Sequence, residues 1–443
     1  MTSGSVFSWP DDGPVLLKRA RIPEAVAAGI DGSRNNGLLT TDLLIADGKI
    51  ADTGPALSSN SDRMGATPQI DMAGRIVLPG FVDIHTHLDK GHIWPRTPNP
   101  DGTFDGALTS ARADRAAHWS ADDVGARMRF ALECAYAHGT VAVRTHLDSF
   151  VEQTAISWGV FDQVRTEFAG KVDLQPAALT SVESIGTDDF LNVVRHVKDY
   201  GGVLGTVAFP IPDLTERLDL FFKVAMDEGL EADFHADETQ DPNAACLHAI
   251  AEAKLRSGYD KPVLVGHCCS LARQSEEMAE ATLDLVQEAG LNIVSLPMCN
   301  SYLQDRHAQR TPRSRGVTLV HEMHDRGIQV AFASDNTRDP FYAYGDLDML
   351  EVMREATRIA HLDHPFADWP AAFSGRAAQI IGMDCGVIKQ GAKADMILVR
   401  ARDWTELLSR PHSDRLVVRA GRAIDAEPPD YSELDGHIPP FAD

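Results

Sequence analysis

The chain has no apolar run of about 18 residues, the length a membrane-spanning helix needs. Its first dozen residues, from Met1 to Asp12, lack the basic region and apolar core of a signal peptide, so a cytoplasmic protein is expected. Cysteine is sparse: Cys134, Cys246, Cys268, Cys269, Cys299 and Cys385 are the only six in 443 residues. None forms a CxxC pair, and the adjacent Cys268 and Cys269 suit neither a zinc knuckle nor a disulfide, which points to free thiols in a reducing compartment. Basic residues are outnumbered, 41 Lys and Arg against 65 Asp and Glu, for a formal charge of −24. So acidic a surface argues against nucleic acid or an anionic membrane as partner. No GxGxxG follows a strand-like run, so a dinucleotide fold would lack its phosphate-binding turn. Low-complexity tracts and fixed-period repeats are also missing.

What is present is a globular composition, 44% hydrophobic and 24% charged, long enough for one large domain with an accessory one. Short apolar runs alternate with helical stretches. The runs lie at 76–88, 141–147, 172–179, 202–209, 231–236, 262–267, 291–296 and 329–334. Helical segments fall between them, among them 122–138, 218–228, 243–256 and 275–289. Eight such units predict an α/β fold, a (β/α)8 TIM barrel over 76–384, with a doubly wound sheet as the alternative. Residues 14–75 and 385–430 instead carry polar–apolar alternation, and Asp47-Gly48 is a hairpin signal. Together they predict a small β-sandwich built from both chain ends. Residues 92–112 read as a long loop after the first strand, of the kind that shapes a barrel's active face.

The tripeptide His85-Thr86-His87 closes the apolar run that begins at Arg75. A strand turns residues i and i+2 to one side, so two imidazoles could meet one metal ion there. Taken alone, the pair is equally a strand end whose histidines face solvent or a core partner. Further along, His235 ends the fifth run and is followed by Asp237 and Glu238, His267 ends the sixth, and Asp335 follows the eighth. Strand ends converge on one face of a barrel, which makes a joint site the better account of all of them. Imidazole and carboxylate donors without thiolate suit Zn²⁺ or Fe²⁺, and such an ion makes hydroxide available near neutral pH. Glu238 need not ligate and is placed to shuttle a proton. Lys90 either reaches a substrate carbonyl or is a surface charge. His146, at the end of the second run, is a pocket-lining candidate without a metal role. The Trp94-Pro95-Arg96 stretch either binds substrate or closes the barrel mouth. Cys268 and Cys269 read as packing residues, since no activating base and cation accompany them.

Jointly, Leu78-Pro-Gly-Phe-Val-Asp-Ile-His-Thr-His87, His235-Ala-Asp-Glu238, Gly266-His267, Ser334-Asp335 and Gly391-Ala-Lys-Ala-Asp-Met-Ile-Leu398 resemble the amidohydrolase superfamily over about residues 14–425. Within it, the chain is similar to the cytosine deaminase branch, which includes the N-isopropylammelide amidohydrolases. The motifs are HTHLDK at 85–90, Val143-Arg-Thr-His-Leu-Asp148, and Ser334-Asp-Asn-Thr-Arg-Asp-Pro-Phe341 followed by Gly345-Asp-Leu-Asp-Met349. The resemblance implies one divalent ion per subunit, Zn or Fe, held by His85, His87, His235 and Asp335. Strands three and four end without the lysine or carboxylate that would bridge a second ion.

It also implies that His267 hydrogen-bonds the hydroxide or the attacked centre, and that Asp335 accepts the water proton. Glu238 would protonate a ring nitrogen and then the leaving amine. Two positions depart from the cytosine deaminase pattern: Ser181 falls near a substrate-binding glutamine, and Asn336 replaces a second aspartate. Phe341 either packs on a flat ring or belongs to the core. The expected activity is deamination of a cytosine-like aminated heterocycle with release of ammonia. The alternatives are removal of an alkylamine from an s-triazine, opening of a cyclic amide, or a non-catalytic barrel with structural metal. The expected partner is a small heterocyclic substrate; family members are often homo-oligomers.

Overall fold

The computed structural model describes residues 7–55, 57–59, 67–366 and 368–438. Residues 56 and 60–66 of the expected sandwich span, and the first six residues of the N-terminal stretch, lie outside these. Among the described residues no helix is long and apolar enough to cross a membrane.

Eight strands form one parallel sheet in chain order: β1 Phe81–Thr86, β2 Thr140–Asp148, β3 Asp173–Ser181, β4 Leu204–Ala208, β5 Ala232–Ala236, β6 Val263–His267, β7 Asn292–Ser295 and β8 Val330–Phe332. A parallel bridge between Thr86 and Asp335, with the Asp335 N–H donating to the His85 carbonyl at 2.9 Å, joins the last strand's exit to the first strand and closes the barrel. β1, β2, β5 and β6 are buried at every position, as expected of strands covered on both faces. Helices Ala121–His138, Leu214–Glu228, Cys246–Ser257 and Glu276–Ala289 occupy the predicted helical segments to within a few residues. Gly229, Gly258 and Gly290 end the last three of these in the left-handed region, where a side chain would be strained.

Two local expectations are corrected. The apolar run 76–88 is two strands, not one. Val77–Pro79 pairs antiparallel with Met396–Leu398 in a four-stranded sheet, and only Phe81–Thr86 enters the barrel. Gly80 separates them, at a point where a Cβ would lie 2.2 Å from the Val141 side chain. The stretch 92–112 is also not all loop. Thr103 caps the Gly106 N–H and starts a helix, Phe104–His118, whose alanines favour it.

The accessory strands form two sheets. One orders Ser33–Asn35, Leu38–Ala46, Val15–Pro23 and Gln69–Asp71, with Lys49–Gly54 also on Leu38–Ala46. The Asp47-Gly48 turn forms this last hairpin as expected, both residues having positive φ. The other sheet runs Arg422–Ala423, Leu416–Arg419, Met396–Leu398, Val77–Pro79. One core joins them: Val15, Leu17, Leu43 and Ile45 pack with Val77, Met396, Leu398 and Val418.

The chain divides into two compact units. One takes in the residues up to Val82 with Cys134–Ala142 and Asp348–Pro428, the other Asp83–Glu133, Val143–Leu347 and the chain from Pro429. In the second unit the Tyr431 ring lies 3.9 Å from the Arg338 guanidinium, and Arg96 donates to the His437 carbonyl at 3.1 Å.

Candidate active site

The exits of β1, β2, β5, β6 and β8 bring seven side chains together. His85 Nε2 and His87 Nε2 lie 3.7 and 3.3 Å from Asp335 Oδ1, and His87 Nε2 is 3.4 Å from His235 Nε2. All four residues are buried. Ligands around a tetrahedral ion at about 2.1 Å sit about 3.4 Å apart, so these spacings fit a divalent cation. Both nitrogens of His85 and both oxygens of Asp335 are buried without a hydrogen bond of normal geometry, which leaves lone pairs for an ion. The donor set therefore fits the metal that the motifs imply.

The backbone is bent to achieve this. Asp237, His267 and Asp335 have φ of 54°, 70° and 65°, in a region that L-residues occupy sparingly and that recurs at functional sites. Each is tied down. Asp237 accepts the N–H groups of Cys246 and Leu247 at 2.9 and 2.8 Å, capping the helix that follows and aiming Glu238. Ser334 donates its N–H and hydroxyl to Asp83 at 3.1 and 2.6 Å, which anchors the neighbouring Asp335.

Electrostatics keep the imidazoles neutral and the acids protonatable. Burial, reinforced by neighbouring histidines, holds His85, His87 and His235 well below the usual histidine range, and burial takes His267 down to about 3. Burial also pushes Asp335 up to about 7. Glu238 is raised well above the ordinary carboxyl value, first by burial and then by Asp335. A carboxyl that holds its proton near neutrality is suited to general acid work.

Other expected residues take varied places. His146 lies within the histidine cluster, its ring 4.1 Å from that of His85, with Nε2 3.0 Å from Asp233 Oδ1. Arg144 holds the other Asp233 oxygen at 3.0 Å. Lys90 is not a surface charge: it is buried, 3.3 Å from Asp148 Oδ1 and 5.0 Å from the Phe341 ring centre. Burial lowers its ammonium, but Asp148, Asp339 and Asp89 together raise it above the usual lysine value. Phe341 packs with Ala107, Ala111, Cys299 and Leu303. Asn336 donates to Asp339 at 2.6 Å. Ser181 ends β3, and its hydroxyl accepts the Glu183 N–H at 3.3 Å. Arg96 is a structural clamp between Asp114 and Asp123, at 2.7 and 2.5 Å. Cys268 and Cys269 are buried, and burial raises both thiols, as packing residues require.

Sequence reasoning missed Asn300, Asp83, Asp233 and Asp339 as parts of this network. Asp83 stands two residues before His85 and Asp233 two before His235, on the same side of their strands. That spacing was a usable signal. Asn300 offered none, because it lies in a helix, Pro297–Leu303, after a strand without a histidine or acid at its end.

Comparison with known proteins shows the family. The pattern of the Amidohydrolase family matches residues 170–425. A pterin deaminase of Rhizobium rhizogenes is 50% identical over 435 residues, 98% of this chain and 99% of that one. An N-isopropylammelide isopropyl amidohydrolase of a Pseudomonas species is 24% identical, across 80% of this chain and 87% of the other. Among solved structures, 5-methylcytosine deaminase from Klebsiella pneumoniae with 5-fluorocytosine superposes with a TM-score of 0.79 at 23% identity, covering 94% and 98% of the two chains. With the barrel, the strand-end histidines and Asp335 in place, the chain belongs to the amidohydrolase family.

Proposed function

We propose that the chain is a metal-dependent deaminase of an aminated nitrogen heterocycle, and that its substrate is a pterin. Half of all positions, over nearly the full length, are shared with a pterin deaminase, and this observation carries the reading. A pterin's amino-bearing ring is the ring of isocytosine, so the reading stays within the cytosine-like class and makes it narrower. Water adds its oxygen to the carbon that bears the amino group, the C–N bond breaks, and a dioxopteridine and ammonia leave.

His85, His87, His235 and Asp335 are the residues that would hold the ion, zinc or iron. When bound, it supplies Lewis acidity that lets water attack at neutral pH. Asp335 takes a proton from the attacking water. Glu238, buried and inclined to hold a proton, gives it to a ring nitrogen, takes the hydroxyl proton of the adduct as the new C=O forms and passes that proton to the departing amine; the proton held by Asp335 then restores Glu238. His267 donates from Nε2 to the oxygen at the attacked carbon. Lys90 and Asn336 meet the polar edge of the ring and Phe341 one face of it, while Ser181 and His146 complete the lining. We assign this chemistry to the barrel expected over 76–384, less Val77–Pro79, which pairs with the sandwich of 14–75 and 385–430.

The test is ammonia release from pterin, isocytosine and cytosine, and isopropylamine release from N-isopropylammelide, with protein of assayed metal content. Turnover of pterin ahead of the monocyclic rings is expected. Cytosine ahead of pterin would return the substrate to the pyrimidines. Amine from the triazine alone would replace deamination with dealkylation.

A further inference from the structure

Asn300 is fully buried on Pro297–Leu303, the helix that follows β7. Its Nδ2 lies 3.0 Å from His267 Nδ1 and 3.4 Å from Glu238 Oε1. One amide nitrogen carries two hydrogens and can serve both partners at once. In this orientation the amide donates to both, with Glu238 accepting through Oε1 and keeping its proton on Oε2; Oε1 itself lies 3.5 Å from His267 Nδ1. A neutral imidazole that accepts at Nδ1 must carry its hydrogen on Nε2. His267 Nε2 is buried and without a partner, and the His267 ring stands edge-on to that of His85, 5.4 Å away. With Nδ1 on Asn300, Nε2 is the nitrogen left for the side of His85 and Asp335, whose donor atoms lie within 4.8 Å of a His267 ring nitrogen.

We infer that Asn300 is a positioning residue that selects the Nε2–H tautomer of His267 and joins it to Glu238. The amide sets two proton-handling groups with one side chain. It turns His267 into a donor toward the reacting carbon's oxygen and keeps Glu238 Oε1 on the same side of the site. The role rests on the proposed deamination, but the tautomer is a property of the resting protein and can be read without substrate.

The experiment is a long-range proton–nitrogen spectrum of the zinc-loaded full chain with ¹⁵N-labelled histidine. The His267 signals are identified among the 17 histidines by their loss in His267→Gln. The expected result is a protonated Nε2 and a bare Nδ1. A protonated Nδ1 in the unaltered chain overturns the inference, whatever substrate the enzyme takes. In Asn300→Asp the new carboxylate takes a hydrogen from Nδ1, so the signature reverses. With it, kcat on the ammonia-releasing substrate should fall about 100-fold or more while KM stays within about threefold. Unchanged metal content and melting temperature identify a folded variant. A folded Asn300→Asp that keeps the Nε2–H signature, or keeps kcat within about threefold, also overturns it. Failure of pterin as substrate alters neither spectrum, so the two readings fail separately.

Discussion

Ser334 is joined to Asp83 twice, through its N–H at 3.1 Å and its hydroxyl at 2.6 Å, and the next residue is Asp335. Asp83 is fully buried, and burial pushes its carboxyl up to about 6 despite both hydrogen bonds. Its two acceptors hold the chain where Asp335, at φ 65°, would otherwise relax. Asp83→Ala should therefore weaken metal binding about 10- to 100-fold without removing a ligand. Competition with a chelator checks this; affinity equal to the parent protein would show that β1 does not orient Asp335.

Glu238→Gln and His85→Ala separate proton transfer from metal binding. The first keeps all four proposed ligands and should lose about 100-fold or more in kcat with full metal content. The second should lose the metal. Elemental analysis beside an ammonia assay distinguishes them; a metal-replete His85→Ala protein would contradict the ligand assignment.

Asn336→Asp would restore the acid of the cytosine deaminase pattern, yet it should not yield a better pyrimidine deaminase. The Asn336 amide donates to Asp339 at 2.6 Å, and Asp339 is itself buried and pushed up to about 6. A second carboxylate there replaces a hydrogen bond with repulsion. We expect kcat/KM to fall by about tenfold or more on every heterocycle tested, the cost of one lost charged hydrogen bond. A gain on cytosine would show that Asp339 yields.

In the first of the two compact units, Arg415 grips Asp348, whose side chain is 12% exposed, with two bonds of 2.7 and 2.5 Å. Burial opposes the carboxylate, but hydrogen bonds from Arg415 and the Leu350 N–H, with the nearby charges of Arg415 and His138, hold Asp348 below the ordinary aspartate value. Its folded value thus lies under its unfolded one, near 3.9. The stabilisation is complete above about pH 4 and is lost as pH falls through the folded value. Arg415→Ala should cost about 3 kcal/mol at pH 7, since it strands a largely buried charge, and the deficit should shrink at acid pH. Denaturant melts at several pH values check it; a deficit that grows on acidification would refute the pairing.

The sequence by itself determined the eight-strand order and the strand ends at which the proposed site residues stand. Strand periodicity and strand-end position are local properties, and His85, His87, His235, His267 and Asp335 each stand at or just past a strand end. The Asp47-Gly48 hairpin was legible for the same reason, because a turn is decided by its own residues. The break at Gly80 was not: Val77–Pro79 and Phe81–Thr86 are equally apolar, and only a partner 317 or more residues later, Met396–Leu398, draws the first of them into another sheet. Lys90 could not be told from a surface charge until Asp148 and Phe341 closed on it. Asn300 carries no chemistry that marks it in one dimension. Its meaning comes from the 3.0 Å to His267, a contact between residues 33 positions apart that the parallel pairing of β6 with β7 creates.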